Sequence, residues 1–487
     1  MRILLASSEL HPYSKTGGLA DMVAALAKYL AKAGHQVGVV TPLYRGIRAR
    51  FPELKRFNWN LSLPLGYETV HGAVWVAEPA PNLKIYFIDQ PRFFDRDGIY
   101  QAPDGDFNDN AARFLFLSKS VVHLARYLPE PPDVVHVHDW QVGLVPLLIQ
   151  HQHRREGWGT PPRTCLTIHN LAYQGVFAPT LYNLCNVPWE DFNPRTAEFY
   201  GDLNFLKGGI RGADQVTTVS PTYAREIGTK EFGCGLERVI GELSSPVTGI
   251  LNGVDYEEWN TDRNPHLLAR YDSSDLTGKM VNKAAVQSAL GLEVRPDAPL
   301  FVNVSRLAEQ KGADLQLGCL EEFLAKGIQF ALLGKGDAQL EAEFTRLSQR
   351  YPRQAAVRIG YDHVLAHRLE AAGDFFVMPS KFEPCGLNQM YSLRYGTIPI
   401  VRATGGLQDS VTDARDSAET ANGIKFHEAS PRALAAAIEK ALTLFGLPEV
   451  FDFYRKNAMT ADFSWDRVAD EYGALYERLM ASPGAAR

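Results

Sequence analysis

"RILLASSELHPYSKTGGLADMVAALAKYLAKAGHQVGVVTP", residues 2–42, decides how the rest of the chain is read. A short apolar run, "RILLAS", gives way to a polar loop holding Lys15, Gly17 and Gly18. Leu19, Met22, Val23, Leu26 and Leu30 then recur at three- and four-residue spacing, the stripe of an amphipathic helix. Gly34 stands where a helix C-terminus favours glycine, and "QVGVVTP" follows as a second apolar run. Strand, glycine loop, helix, strand is the beginning of a doubly wound α/β sheet. Two adjacent glycines beside Lys15 suit backbone that comes close to an anion. An ordinary strand-to-helix turn with a solvated lysine fits the same residues, and Asp21 is either a binding group or a complement to the helix N-terminus.

The alternation continues along nearly the whole chain. "VVHVHD", "TCLTIHN", "QVTTVS" and "VTGILNGVD" read as further strands of the first half, and "PLFVNVS", "FALLGKGD", "AVRIGY", "DFFVMPS", "IPIVRAT" and "GIKFHE" as those of the second. Their near-continuous Val, Ile, Leu and Phe content is that of parallel strands covered on both faces. Residues 53–110 alternate weakly and read as an insertion at the sheet edge. The pattern restarts near Pro299 after a polar stretch, so two α/β domains are expected, 1–252 and 253–461. The tail, 462–487, reads as a helix with Val468, Tyr472, Leu475, Tyr476 and Leu479 on one face.

A chain of 487 residues with 45% hydrophobic and 22% charged content has the make-up of a well-packed soluble protein of two or three domains. A net charge of −6, with no basic, aromatic-interleaved patch, argues against a nucleic-acid partner. The five cysteines are scattered and form no CxxC pair, which argues against a disulfide framework or a zinc finger. The opening apolar run is too short for a signal-peptide core, and no stretch approaches the roughly 18 apolar residues of a membrane span. A cytoplasmic protein without a membrane partner is expected.

Ligands of open α/β sheets bind beyond the carboxyl ends of the strands, so the residues that follow each strand are the candidates. They are Lys15, Gly18 and Asp21; His138, Asp139 and Trp140; His169 and Asn170; and Asn252, Gly253 and Asp255. In the second half they are Arg306 and Lys311, Glu383 before Gly386, and Thr404, Gly405 and Gly406. Two cations beside glycine-lined helix starts suit a diphosphate. Each residue also has a plain reading. His136 and His138 share a strand face and read better as hydrogen-bonded core histidines than as metal ligands. Glu383 caps a helix or touches substrate, and Cys385 reads as a small packing residue rather than a nucleophile. "GKGD" is a turn, since the phosphate loop GxxxxGK[ST] is missing. So is the dinucleotide fingerprint GxGxxG, which disfavours an oxidoreductase.

Taken together, seven stretches resemble the bacterial glycogen synthase and plant starch synthase family in order and approximate spacing: "SKTGGLADM", "HVHDWQVG", "TIHNLAYQG", "ILNGVD", "VSRLAEQKG", "SKFEPCGLNQMY" and "YGTIPIVRATGGLQDSV". The resemblance implies a GT-B architecture, two Rossmann-like domains facing across a deep cleft, with the C-terminal helix crossing back to the first. It implies transfer of glucose from ADP-glucose to the non-reducing 4-hydroxyl of an α-1,4-glucan, with retention of configuration and release of ADP, and no metal or other cofactor. By the same resemblance, His169, Arg306, Lys311 and Glu383 are the catalytic group. Lys15, Gly18, Asp21, Asp139, Asn252, Tyr361, Cys385, Gly386, Leu387, Thr404, Gly405 and Gly406 bind ADP-glucose, and Tyr100, Trp140 and Tyr173 face the acceptor. Asn388 departs from the small polar residue that many members carry there. A UDP-glucose-dependent relative and a non-catalytic glucan-binding protein are the competing readings. Retention of Arg306, Lys311 and Glu383 argues against the second.

Overall fold

Strand β1 (Arg2–Ala6) pairs in parallel with β2 (Gln36–Pro42), and α1 (Gly18–Lys32) between them buries Met22, Val23, Leu26 and Leu30. The helix stops as the glycine predicts: Gly34 donates its N–H to the Ala31 carbonyl at 3.0 Å and His35 donates to that of Leu30 at 3.1 Å. The computed structural model describes residues 1–103 and 105–482, and residues 483–487 of the expected C-terminal helix lie outside them.

The chain forms two compact units. The first gathers residues 1–219, 224–250 and the C-terminal helix from Trp465 on; the second gathers 220–223 and 251–464. Val254 donates its N–H to the Phe463 carbonyl at 2.7 Å, so the two connecting segments run side by side within the second unit.

In the first unit, β3 (Lys55–Leu65), β4 (Glu68–Ala80), β5 (Leu83–Asp89), β6 (Val134–His138), β7 (Arg163–Ile168), β8 (Gln215–Thr218) and β9 (Thr248–Gly249) complete one sheet of nine strands. Their order is β9-β8-β7-β6-β1-β2-β5-β4-β3. All neighbours are parallel except β5 with β4 and β4 with β3, so the weakly patterned insertion is an antiparallel edge meander. "VTGILNGVD" contributes only the two residues of β9, because its remainder leads into the connection to the second unit.

The second unit has β10 (Leu300–Val304), β11 (Gln329–Gly334), β12 (Ala355–Ile359), β13 (Phe375–Met378), β14 (Ile398–Arg402) and β15 (Ile424–Phe426) in the all-parallel order β12-β11-β10-β13-β14-β15. Phe301, Phe330 and Phe375 lie in its core. Asp374 is buried there and neutralised by Lys283 at 2.7 Å and Arg455 at 2.8 Å. Chain order reverses at β1/β6 in one sheet and at β10/β13 in the other. At such a reversal, successive crossovers leave to opposite sides and open a crevice at the carboxyl ends.

The C-terminal helix Trp465–Ala481 buries Val468, Tyr472, Leu475, Tyr476 and Leu479 within the first unit. Tyr476 Oη lies 2.7 Å from Nδ1 of the fully buried His136. Tyr476→Phe removes that bond and strands a buried ring nitrogen, which should lower unfolding free energy by about 1–3 kcal/mol. Urea unfolding indistinguishable from wild type would contradict this account of how the helix is anchored.

Candidate functional site

In the first unit the loop after β1 is organised by a residue the sequence did not single out. Glu9 is almost completely buried. Its Oε1 accepts from the Thr16 hydroxyl at 2.6 Å and from the Tyr100 hydroxyl at 2.5 Å; its Oε2 accepts from the N–H groups of Thr16 and Gly17, the latter at 3.3 Å. The carboxylate thus ties down the "KTGG" turn from beneath. Lys15 Nζ meets Asp21 Oδ1 at 2.8 Å, so Asp21 both faces the helix N-terminus and matches the lysine charge. Gly18 opens α1. A Cβ on Gly17 would meet no protein atom within 4 Å, and its backbone is extended, so the protein's own packing does not demand glycine there. Burial first, and the Glu9 charge second, hold the Tyr100 hydroxyl well above its ordinary pKa.

At the ends of β6 and β7, His138 Nδ1 lies 3.1 Å from His169 Nε2. His136 is bonded through both ring nitrogens, to the Tyr476 and Thr167 hydroxyls, as a core histidine should be. Burial pushes His136 and His169 down to about 3 and His138 well below its ordinary value, so all three rings stay neutral near pH 7. Asp139 accepts the His169 N–H at 2.7 Å and is held at φ 60°, ψ −174°, a conformation rare for a residue with a side chain. Burial raises its carboxyl to about 7, opposed by the backbone N–H groups of His169 and Asn170. His138 Nε2 is buried without a hydrogen-bond partner among the described residues.

Trp140 is half-buried. Its ring packs among Phe114, Phe177 and Phe205 at centroid distances of 5.2, 5.7 and 6.3 Å. Tyr173 is exposed, whereas the Tyr100 hydroxyl is taken by Glu9 and Ser8.

In the second unit the loops after β10 and β13 meet. Lys381 donates its N–H to the Gln310 carbonyl at 2.8 Å, and Gln310 Nε2 donates to that of Phe382 at 3.2 Å. Lys311 Nζ then reaches Glu383 Oε2 at 2.5 Å, with both side chains largely buried. The Ser380 hydroxyl donates to the same oxygen at 3.0 Å. The sequence assigned these two charges to different parts of a ligand; here they neutralise each other. Arg306 is exposed and makes no ion pair among the described residues.

The "EPCGL" loop lies directly on the start of the short helix Gly405–Ser410. A Cβ on Gly405 would come within 1.9 Å of the Glu383 carbonyl oxygen, and one on Gly406 within 2.1 Å of that of Cys385. Gly406 donates its N–H to the carbonyls of Glu383 at 3.1 Å and Pro384 at 3.2 Å. That donor, expected to meet a diphosphate, is therefore spent on the loop. Thr404 precedes the helix as its N-cap. Gly386 (φ 74°) and Leu387 lead into the helix Asn388–Arg394, whose Asn388 side chain donates to the Val304 carbonyl and fastens it to the end of β10. Burial pushes the Cys385 thiol up to about 12, which makes it inert, and the Asn252 N–H lies against its sulfur. Asn252 Oδ1 is buried without a partner among the described residues. Tyr361, beyond β12, is exposed. No helix among the described residues is long and apolar enough to cross a membrane.

Residues 2–242 match the family model described as the starch synthase catalytic domain, and residues 291–457 that of group 1 glycosyl transferases. With two parallel-sheet units, this defines a glycosyltransferase of GT-B fold. The chain is 46% identical over 483 residues to a glycogen synthase of Anaeromyxobacter sp. (strain Fw109-5), covering 99% of this chain and 100% of the relative. It is 45% identical to the glycogen synthase of Thioalkalivibrio sulfidiphilus, with coverage of 99% and 100%. Among solved structures, the catalytic domain of Arabidopsis thaliana starch synthase IV, bound to ADP and acarbose, matches with TM-score 0.87 and 33% identity over 99% of both chains. A sucrose-phosphate synthase from Thermosynechococcus elongatus shares the fold at TM-score 0.60 and 19% identity, covering 99% of this chain and 100% of its own. The chain belongs to the glycogen synthase and starch synthase family.

The Asp139 environment has a consequence for pH dependence. Its folded pKa, about 7, lies above the ordinary 3.8, so its contribution is fully present below pH 3.8 and is lost as pH rises through 7. Asp139→Asn keeps an oxygen for the two N–H groups but cannot ionise. Its stability relative to wild type should climb between pH 4 and 7 and level off above, by on the order of 4 kcal/mol at most. A flat difference across that window, measured by urea unfolding, would show that Asp139 is not held protonated.

Proposed function

We propose that the protein elongates α-1,4-glucans. It transfers glucose from ADP-glucose to the non-reducing 4-hydroxyl with retention of configuration, releases ADP, and needs no metal at the diphosphate. The observation that carries this reading is the full-length likeness to a starch synthase bound to ADP and acarbose. In this reading Arg306 and Lys311 meet the charge that develops on the departing ADP. An ammonium has three donors, so Lys311 can keep Glu383 and still present an N–H to a phosphate oxygen. Glu383, with Cys385, Gly386 and Leu387 beside it, holds the donor glucose hydroxyls, and Thr404 and Gly405 flank the nucleotide. Lys15, Gly18, Asp21, Asp139, His169, Asn252 and Tyr361 supply the remaining polar contacts to the donor. Tyr173 is the best placed of the three acceptor candidates, being exposed, while Tyr100 and Trp140 support their surroundings.

A double displacement would need a carboxylate against the anomeric carbon. Glu383 is neutralised by Lys311 and accepts from Ser380 on the same oxygen, which weakens it as a nucleophile. A front-face displacement, in which the leaving phosphate oxygen helps deprotonate the acceptor, fits better. A trapped glucosyl-Glu383 adduct in quenched reactions would overturn that mechanism.

The reading as a whole is tested by incubation with maltooligosaccharide and either ADP-glucose or UDP-glucose. Released ADP, a lengthened glucan, a faster rate with ADP-glucose and indifference to added Mg²⁺ are expected. Binding of glucan without nucleotide release would refute it. Arg306→Ala and Lys311→Ala should each lower kcat by about 10²–10³ while far-UV circular dichroism is unchanged. Near-normal turnover in either would remove the assigned role. Gly17→Ala meets open space, so it should leave the melting temperature in place and raise KM for ADP-glucose; an unchanged KM would mean that donor does not approach this backbone.

A further inference from the structure

A group of side chains that the proposed reaction does not use lies elsewhere in the second unit. His363 and His367 stand one turn apart at the start of helix His363–Ala372, and His266 comes from the irregular segment that precedes Asn282. One ring nitrogen from each lies within 4.8 Å of the others. His363 Nε2 is 3.3 Å from His367 Nε2 and 3.0 Å from Glu258 Oε1. Tetrahedral zinc with ligands at about 2.0–2.1 Å places any two of them about 3.3 Å apart. The His363–His367 separation matches this, the His363–Glu258 one is close to it, and the His266 nitrogen lies within 4.8 Å of the other two.

Protonation alone does not account for this convergence. His363 Nε2 carries at most one proton and cannot both donate to Glu258 Oε1 and accept from His367 Nε2, so one of these two short contacts has no hydrogen bond across it. An atom set with more lone pairs than protons is the chemistry of a cation site. The surroundings orient it as well. His367 Nδ1 lies 2.9 Å from the Tyr395 hydroxyl and 3.1 Å from Asn264 Nδ2, so Nε2 faces the group and gives up its proton when an ion binds. Asn264 Oδ1 accepts the His266 N–H at 2.9 Å, and Arg368 Nε donates to the His266 carbonyl at 3.0 Å, so the third ligand's backbone is clamped from both sides. His367 is fully buried while His363 and Glu258 are near the surface, which gives an ion an entry path.

We propose that His266, His363 and His367 bind one divalent cation of the zinc class, with Glu258 or water completing a tetrahedral set. Three imidazoles select zinc and its late transition-metal neighbours over magnesium and calcium, which prefer oxygen. The ion staples segment 258–266 to the helix. It also lies beside Trp259, whose ring stacks on His367 at 4.0 Å and on Tyr391 at 3.7 Å. Tyr391 belongs to helix Asn388–Arg394, which follows the "EPCGL" loop, so the staple supports that loop from behind.

The test uses the untagged full-length chain, stripped with chelator and dialysed. Titration with Zn²⁺ should give one ion per chain, raise the melting temperature and change Trp259 fluorescence; Co²⁺ should give the intense visible bands of a tetrahedral site, and Mg²⁺ none of these effects. His363→Ala alters a surface position and leaves the core intact; with far-UV circular dichroism unchanged, it should weaken Zn²⁺ binding at least tenfold and abolish the cobalt bands. A second variant, His266→Asn, should do the same. Absence of stoichiometric uptake, or uptake that both variants retain, would overturn the proposal. Neither outcome bears on glucan synthesis, which is measured separately.

Discussion

The ion pair between Lys311 and Glu383 holds together the loops at the strand ends of the second unit. The two residues are 72 positions apart in sequence yet 2.5 Å apart in space, because β10 and β13 are neighbours where chain order reverses. Both side chains are largely withdrawn from water, so each charge depends on the other; removing one would leave an uncompensated buried ion. The pair also sets backbone. The carbonyl of Glu383 accepts the Gly406 N–H, and the carbonyls of Glu383 and Cys385 occupy the space where Cβ atoms on Gly405 and Gly406 would be. Side chain and main chain of one residue thus fix the loops after β10, β13 and β14 together.

The first unit solves the same problem without a cation. Glu9, just past β1, gathers two N–H groups and two hydroxyls, and those neutral donors share its charge. The loop that presents Lys15 is rigid from below while the lysine itself is matched by Asp21 on the helix. On the other side of the reversal, Asp139 sits at a positive φ that an unconstrained chain would avoid. It is kept there by its own N–H bonded to Thr167 and its carboxyl bonded by the His169 N–H.

Most of the fold was legible because parallel strands covered on both faces must be continuously apolar, and such runs cannot be mistaken for loops. The order of the strands, and hence the two reversals, was not legible, because an apolar run does not say which strands become its neighbours. The candidate site was legible only as a set of strand-end residues. "VTGILNGVD" was over-read because an apolar run that leaves a domain looks like one that crosses it. That Phe114, Phe177 and Phe205 pack around Trp140 was not legible, because an aromatic after a strand gives no sign of what arrives beside it. Glu9 was missed since "SSEL" has no motif, and its partner Tyr100 lies 91 positions away. The pairing of Lys311 with Glu383 and the grouping of His266 with His363 and His367 are likewise long-range. Periodicity reports which face a side chain occupies, not what arrives opposite it.

Charge is distributed unequally between the two units, and this has a chemical logic. The second unit carries Arg306 without an ion pair among the described residues and Lys311 with spare donors, cations that in the proposed reaction meet a diphosphate gaining negative charge. At the ends of β6 and β7 the first unit withholds positive charge: burial keeps His136, His138 and His169 neutral, and Asp139 is near half-protonated at neutral pH. In glucosyl transfer the sugar becomes cationic as the nucleotide leaves. With His169 and Asp139 in the roles proposed for them, a protonated imidazole would oppose that charge, whereas neutral rings and a carboxyl able to ionise do not. Desolvation, the same force that builds the sheet's core, thereby sets the electrostatics of the strand ends.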